Sequence, residues 1–364
     1  MILGFVFHKS KLLIIIDAIF MIITIGFRSV GIDLYVYLME FVKSTEITVN
    51  QADFVGYYYL NLWAHNLGWS FQGFEFFVAL LSVILLIVGM YRINKNNIPF
   101  AISFFLIYPF GHEASQVRTF LADSIILVAI SFLVSTNENK LRKYINYLVY
   151  FCLCILASTI HTLAFFFIAI GIMYIFIPRK VNMKELILIS VLSILLVKIN
   201  LIPQIAESLM NTSKQDHWLD VRSGLGGYIP IIFTFIILGL SKFVINFDVV
   251  HTKDDKQRRL SQNIGRFCEY ILFCLPLFIY DITFDRLWRN FLVILYLYSG
   301  NFLYMKLDVL NGKNLIKHNL NYEKTVFLII LFCTVFGLFI YENEWMVLNS
   351  FLIDNGFLSW LKGY

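Results

Sequence analysis

Arginine, histidine and acidic residues gather in four short segments whose chemistry suits a phosphate-bearing substrate. The first runs from Arg28 through Gly31 and Asp33 to Tyr37. Gly31 permits a turn with positive φ, and Arg28 and Asp33 flank that turn closely enough to pair. The second holds Gly111, His112, Glu113, Gln116, Arg118, Thr119, Ala122 and Asp123. An arginine at a helix start is repelled by the helix dipole, a cost that a bound anion removes. Asp123, one turn into an apolar helix, is costly without a partner, so a local Arg118–Asp123 pair is the plain alternative. The third is the turn Ser158, Thr159, Ile160, His161, Thr162. The fourth packs Asp281, Asp285, Arg286, Trp288, Arg289 and Asn290 between two apolar stretches. Arginines three apart share a helix face and suit a pyrophosphate-sized anion; an interfacial network with Asp281 and Asp285 is the alternative.

The elements that must position these segments are membrane spans. Of the 364 residues, 59% are apolar and 15% charged, against about 25% charged in a soluble domain. The apolar residues fall in long runs, near 11–28, 74–91, 98–111, 119–135, 144–159, 162–178, 185–201, 228–246, 267–281, 290–306 and 325–341. A helical span needs about 20 apolar residues, with shorter runs tolerated. The chain is therefore expected to be an all-α polytopic membrane protein of about 11 spans. It forms one transmembrane domain over 1–364, with long outer loops at 29–73 and 202–227. Residues 98–135 and 144–178 each resemble a helical hairpin with a tight outer turn.

Loop charge sets the orientation. Lys9 and Lys11, Arg92 and Lys95, the Lys140 to Lys143 cluster, and the Lys253 to Arg266 cluster fall on one side. The positive-inside rule makes that side cytoplasmic, with the N-terminus inside and the C-terminus outside. Arg28, Arg118, Arg222, Arg286 and Arg289 then lie on the outer side. Arginine binds phosphate with a planar fork, where lysine offers a point charge.

Other chemistries are excluded. The net charge of +5 is dispersed in loop clusters, which argues against nucleic acid. The five cysteines lie inside apolar stretches and lack zinc or redox spacing. No P-loop, dinucleotide fingerprint, nucleophile elbow, HExxH or Asp-x-Asp motif occurs. No metal and no cofactor is expected.

Taken in order, the four segments resemble the EpsG family of Wzy-type polysaccharide polymerases. The family's opening stretch of Arg, Gly, Asp and Tyr is similar to Arg28, Gly31, Asp33 and Tyr37. An acidic residue before a Gly-Tyr segment is matched from Asp53 to Tyr57. The family's Arg-Gln-x-x-Ala is matched at Arg118 and Ala122, with Thr119 in place of Gln. Its Phe-His-Ser/Thr turn is matched at His161 and Thr162, with Ile160 in place of Phe. A late arginine corresponds to Arg286, and Asn290 stands where Tyr is usual. The likeness runs from about residue 20 to 310.

The resemblance implies a metal-independent, GT-C-like glycosyltransferase of the bacterial inner membrane. It would join oligosaccharide repeat units carried on undecaprenyl pyrophosphate, at the outer face, for a capsule, exopolysaccharide or O-antigen. Arg118, Arg286, Arg289 and, more weakly, Arg28 are expected at the pyrophosphate. His161 and Asp33 are the alternatives for the catalytic base, and His161 could instead bind phosphate. Tyr37, Asp53, Glu113 and Arg222 are expected to contact substrate. A flippase and a chain-length regulator are the expected partners. Competing readings are an O-antigen-ligase-type transferase and a lipid-linked oligosaccharide transporter.

Overall fold

A membrane core offers no water to unpaired backbone groups, so a spanning chain must satisfy them internally. This chain does so with helices. The computed structural model describes residues 2–29, 31, 33–136, 139–177, 185, 188, 228–275, 277, 282–304, 314–353, 355 and 356. The regular elements among the described residues are helices, with one isolated β-bridge between Arg28 and Asn355. The helices are α1 (Ile2–Val6), α2 (Lys11–Gly26), α3 (Leu34–Lys43), α4 (Val55–Asn66), α5 (Phe71–Ile93), α6 (Ile98–Ile107), α7 (Phe110–Ser115) and α8 (Val117–Leu133). There follow α9 (Lys140–Ile160), α10 (Phe165–Phe176), α11 (Tyr228–His251), α12 (Asp255–Glu269), α13 (Arg289–Tyr304), α14 (Asn314–Tyr341) and α15 (Glu344–Ile353).

The helix starts are written in the sequence. Ser10 Oγ accepts the Leu13 N–H, Ser70 Oγ that of Gly73, Asn139 Oδ1 that of Leu141, and Asp254 Oδ1 that of Lys256. Each supplies one of the acceptors that a helix N-terminus lacks.

Four described helical stretches are long and apolar enough to cross a membrane: Phe71–Ile93, Lys140–Ile160, Ile229–His251 and Leu320–Tyr341. Only 28% of the most apolar window of Lys140–Ile160 and of Leu320–Tyr341 is buried inside the protein. Much of the remaining apolar surface is exposed, as at Leu148, Ile155, Ile329 and Phe332, as lipid-facing helices require. The protein is a membrane protein.

Two helices form the centre. Every residue of α13 from Arg289 to Gly300 is buried, as is nearly all of α8. Beyond their polar first turns both are mainly apolar on every side, which suits a helix enclosed by others. Around them α2 lies along α5, α5 along α8 and α8 along α9, while α11 packs on α12 and α13, and α13 on α6. Helix α15 crosses α7.

The structure departs from the sequence reading in three places. The expected outer loop 29–73 holds two helices, α3 and α4, and a 3-10 turn at Val49–Gln51. Helix α3 is amphipathic: Tyr37 and Phe41 are buried while Tyr35 and Val36 are exposed. The expected tight turn between 98–111 and 119–135 contains α7. In the expected span 267–281, α12 ends at Glu269 and Tyr270–Cys274 is 3-10. Pro276 has no N–H to offer a carbonyl one turn earlier. The span expected at 185–201, apart from residues 185 and 188, and the outer loop 202–227 lie outside the described residues.

Candidate active site at one end of the bundle

Antiparallel packing brings opposite helix ends together. The C-terminal ends of α2 and α9 meet the N-terminal ends of α5 and α8, and these ends carry Arg28, His161, Glu75 and Arg118. The opposite end holds Arg92, whose Nε donates to Ser131 Oγ of α8.

Arg28 is sealed. Its Nε and Nη2 form a fork on the Glu75 carboxylate, and its Nη1 donates to the carbonyls of Ala114 at 2.8 Å and Ser115 at 2.7 Å. The side chains are 0% and 3% exposed. Glu75, not Asp33, is its partner. Gly31 takes φ 157°, a value that glycine adopts freely.

Arg118 is held differently. Its Nη1 meets both oxygens of Glu40 on α3, at 2.8 and 2.9 Å. The Phe54 ring covers the guanidinium at 3.8 Å, with the Tyr37 ring at 5.3 Å and the Tyr57 ring at 5.6 Å. Its Nε is buried and has no hydrogen-bond partner among the described residues. Asp123 does not pair with it; Asp123 Oδ1 accepts from Asn290 Nδ2 at 3.3 Å.

Tyr37 is the hub. Its ring is 1% exposed, with the Arg28 guanidinium at 5.6 Å and that of Arg118 at 5.3 Å. Burial pushes its hydroxyl well above the usual phenol range, so it stays protonated; the charges of Arg118, Arg28 and Arg286 pull the other way. The hydroxyl donates to Asp33 Oδ2 at 3.4 Å, and Asp33 is half-buried.

His161 joins through Phe54, whose ring stacks on the imidazole at 5.7 Å and 18°. His161 Nδ1 accepts the Leu163 N–H at 3.3 Å and so caps the 3-10 turn Thr162–Ala164. With Nδ1 accepting, the neutral ring carries its proton on Nε2 and is a donor. Gly56 of α4 lies so close to Thr159 that a Cβ would collide with it. This contact sets α4 against the end of α9 beside His161.

Arg289 starts α13. Its Nη1 reaches Gln116 Oε1 at 3.2 Å and Glu113 Oε1 at 3.4 Å, and the arginine and glutamate side chains are 3% and 2% exposed. Glu113, Asp123, Ser124, Arg289 and Asn290 line a cavity of about 10 Å³ for water centres, room for one water. Arg286 is half-buried in the 3-10 turn Ile282–Trp288, which leads directly into Arg289 at the start of α13. Asp53 is exposed just ahead of α4. Arg222 lies outside the described residues.

The C-terminal segment closes the same region. Glu344 accepts the N–H of Gly111 and that of His112, the latter at 3.2 Å. His112 Nε2 lies 2.9 Å from the Glu342 carbonyl and 3.3 Å from Glu344 Oε2. Burial, with the nearby Arg289 charge, lowers the His112 pKa to about 3, so it is neutral. Burial raises the Glu344 carboxyl to about 7.

The EpsG family profile matches residues 11–344. The chain belongs to the EpsG family. That is the family of Wzy-type polysaccharide polymerase-like proteins. No curated protein and no solved structure matches the chain. In this EpsG-family member, Arg28, Asp33, Tyr37, Arg118 and His161 come together through Tyr37 and Phe54. Arg289 and Glu113 pair beside Gln116, just ahead of the start of α8. The sequence reading missed Glu75, Glu344 and Phe54, and gave Gln116 and Glu40 no role. Glu75 carried a usable signal, since an acidic residue near the start of an apolar run requires a partner. Glu344 and Phe54 carried none.

No group of three or more His, Cys, Asp or Glu side chains among the described residues could hold a metal ion. The arrangement offers fixed cationic charge, a neutral tyrosine hydroxyl, a histidine N–H donor and two accessible carboxylates. That set can bind an anion and take a proton from a hydroxyl.

Proposed function

We propose that this protein is a polysaccharide polymerase that joins oligosaccharide repeat units carried on undecaprenyl pyrophosphate. It would work at the outer face of the bacterial inner membrane, in a GT-C-like chain of about 11 spans with its N-terminus inside. Family membership supports the class of activity. The observation that carries the chemistry is Arg118, buried at the bundle end with its Nε unpartnered among the described residues and its counter-ion a reachable carboxylate.

In this reading the terminal hydroxyl of one glycan attacks the anomeric carbon of another, and lipid pyrophosphate leaves. Negative charge grows on the leaving group, and fixed donors aimed at it lower the barrier in a site of low dielectric. Arg118 and Arg286 face that charge. The His161 Nε2–H adds a donor, so the geometry favours phosphate binding over a base role for His161. Arg28 and Arg289 hold the walls: Arg28 fixes α2 to α5 and α7, and Arg289 fixes α13 to α7 and the start of α8. Neither step calls on a nucleotide or a metal. Tyr37, Asp53, Glu113 and Arg222 are the substrate-side candidates, of which Glu113 is enclosed with Arg289.

Reconstitution with lipid-linked repeat units tests this. A well-folded Arg118→Ala protein should fail to elongate chains, and normal elongation would overturn the assignment. The wild-type product should be a ladder of repeat-unit lengths. A single transfer to a lipid core would identify a ligase, and flux without bond formation a transporter.

A further inference from the structure

The sequence left the base open between His161 and Asp33, and the structure draws attention to a third group. His161 spends its Nδ1 lone pair on the Leu163 N–H. Asp33 Oδ2 is taken by the Tyr37 hydroxyl. Glu40 lies seven residues after Asp33 and three after Tyr37, so the three share one face of α3. Its side chain is 29% exposed. The carboxylates paired to Arg28 and Arg289 are 3% and 2% exposed and out of a substrate's reach.

We propose that Glu40 is the general base that takes the proton of the attacking hydroxyl. The proposal rests on the reading of Arg118 as the pyrophosphate's partner. Both Glu40 oxygens meet a single nitrogen of Arg118, Nη1. A guanidinium has five donors in a rigid fork, and Nε of Arg118 is buried without a partner among the described residues. A phosphate oxygen can take that donor while Glu40 keeps Nη1. Glu40 spends one lone pair of each oxygen on Nη1 and keeps the others for the proton of a hydroxyl. The geometry also keeps the base in the same site as the leaving group's anchor, on a partly exposed side chain that an incoming hydroxyl can reach.

The step balances. The hydroxyl O–H bond breaks and its proton goes to Glu40. The oxygen forms a bond to the anomeric carbon. The bond from that carbon to the phosphate oxygen breaks, and its electron pair leaves with the lipid pyrophosphate. Glu40 then gives its proton to water.

The test uses the full chain in lipid nanodiscs with lipid-pyrophosphate-linked repeat units, and competition by polyprenyl pyrophosphate to read anion binding. Glu40→Gln should lower kcat by about 100-fold or more, the usual size of a general-base contribution. It should leave KM and the competition constant unchanged or lower, and remove the acidic limb of the kcat–pH profile. Added formate should restore part of the rate to Glu40→Ala. Retained kcat with a lower KM would show that Glu40 merely occupies the phosphate seat, and would overturn the proposal. If Glu40→Gln does not fold, Glu40→Asp decides: a slower enzyme with a displaced acidic limb supports the base role, an unmoved limb refutes it. Full activity of Arg118→Ala would instead remove the underlying reading, whereas an inactive Arg118→Ala beside an active Glu40→Gln would remove only this one.

Discussion

Two arginine–carboxylate pairs stand on either side of Tyr37 and differ in almost every respect. Arg28 has both edges of its guanidinium filled, by Glu75 and by two backbone carbonyls, and neither side chain meets solvent. Arg118 gives one nitrogen to a partly exposed Glu40 and keeps a buried Nε unpaired among the described residues. A filled guanidinium can only hold structure. A half-filled one has a donor left for a further anion. The same ion-pair chemistry therefore serves a joint at one position and a candidate binding site at the other.

The largest effect should come from breaking the sealed pair. Removing one partner of a buried ion pair leaves an uncompensated charge and costs about 3–5 kcal/mol. Glu75→Ala should therefore lose folded protein, read as a collapse of the detergent melting temperature. The double change Arg28→Met with Glu75→Leu removes both charges and should regain much of the loss, though it strands the Ala114 and Ser115 carbonyls. If Glu75→Ala melts like the wild type, the two pairs are not distinct in kind.

At the open pair the effect should move from stability to activity. Arg118→Lys keeps a charge for Glu40 and loses the Nε donor and the planar fork. Melting should change little while chain elongation falls by about 100-fold, the size of losing one donor to a developing oxyanion. Equal activity would mean that Arg118 acts only as a point charge.

The ends of the spans were legible in the sequence, but their partners were not. Arg118 and His161 stood out because a charge at the edge of an apolar run has to be satisfied. Their surroundings come from packing across distance: Glu75 is 47 residues from Arg28, and Glu40 is 78 residues from Arg118. The nearby acids Asp33 and Asp123 were the natural partners by spacing, and the fold gives them Tyr37 and Asn290 instead. The expected loop 29–73 hid α3 because its aromatic residues read equally as an interface belt. Only packing shows that Tyr37 and Phe41 turn inward while Tyr35 turns out.

Glu344 sharpens the comparison from a third direction, for it is as sealed as Glu75 but has no arginine fork. It accepts two backbone N–H groups beside a neutral His112. Burial raises its pKa from 4.5 to about 7, against the opposing pull of Arg289 and those N–H groups. The folded protein then holds its proton more tightly than the unfolded chain does, so this group's contribution is full below pH 4.5 and is lost as pH rises to about 7. The seam between α15 and α7 should loosen over that window. Glu344→Gln, which still accepts the Gly111 N–H, should flatten the decline of melting temperature across it. A decline equally steep in the variant would assign the titration elsewhere.

The smallest expected effect concerns what stands in for backbone carbonyls at the open pair. Arg28 is oriented by Ala114 and Ser115, whereas Arg118 rests on the face of Phe54, which also stacks on His161. A cation over an aromatic face gains about 0.5–2 kcal/mol depending on how far it is desolvated. Phe54→Leu keeps apolar bulk but removes the π face, so the protein should fold normally and melt within a degree or two of wild type. Arg118 would lose part of its orientation, and KM for the lipid-linked donor should rise several-fold with kcat reduced less. If instead kcat falls as far as in Arg118→Lys, then Phe54 holds both Arg118 and His161 in register during the reaction, and the ring is part of the site's alignment and not only its floor.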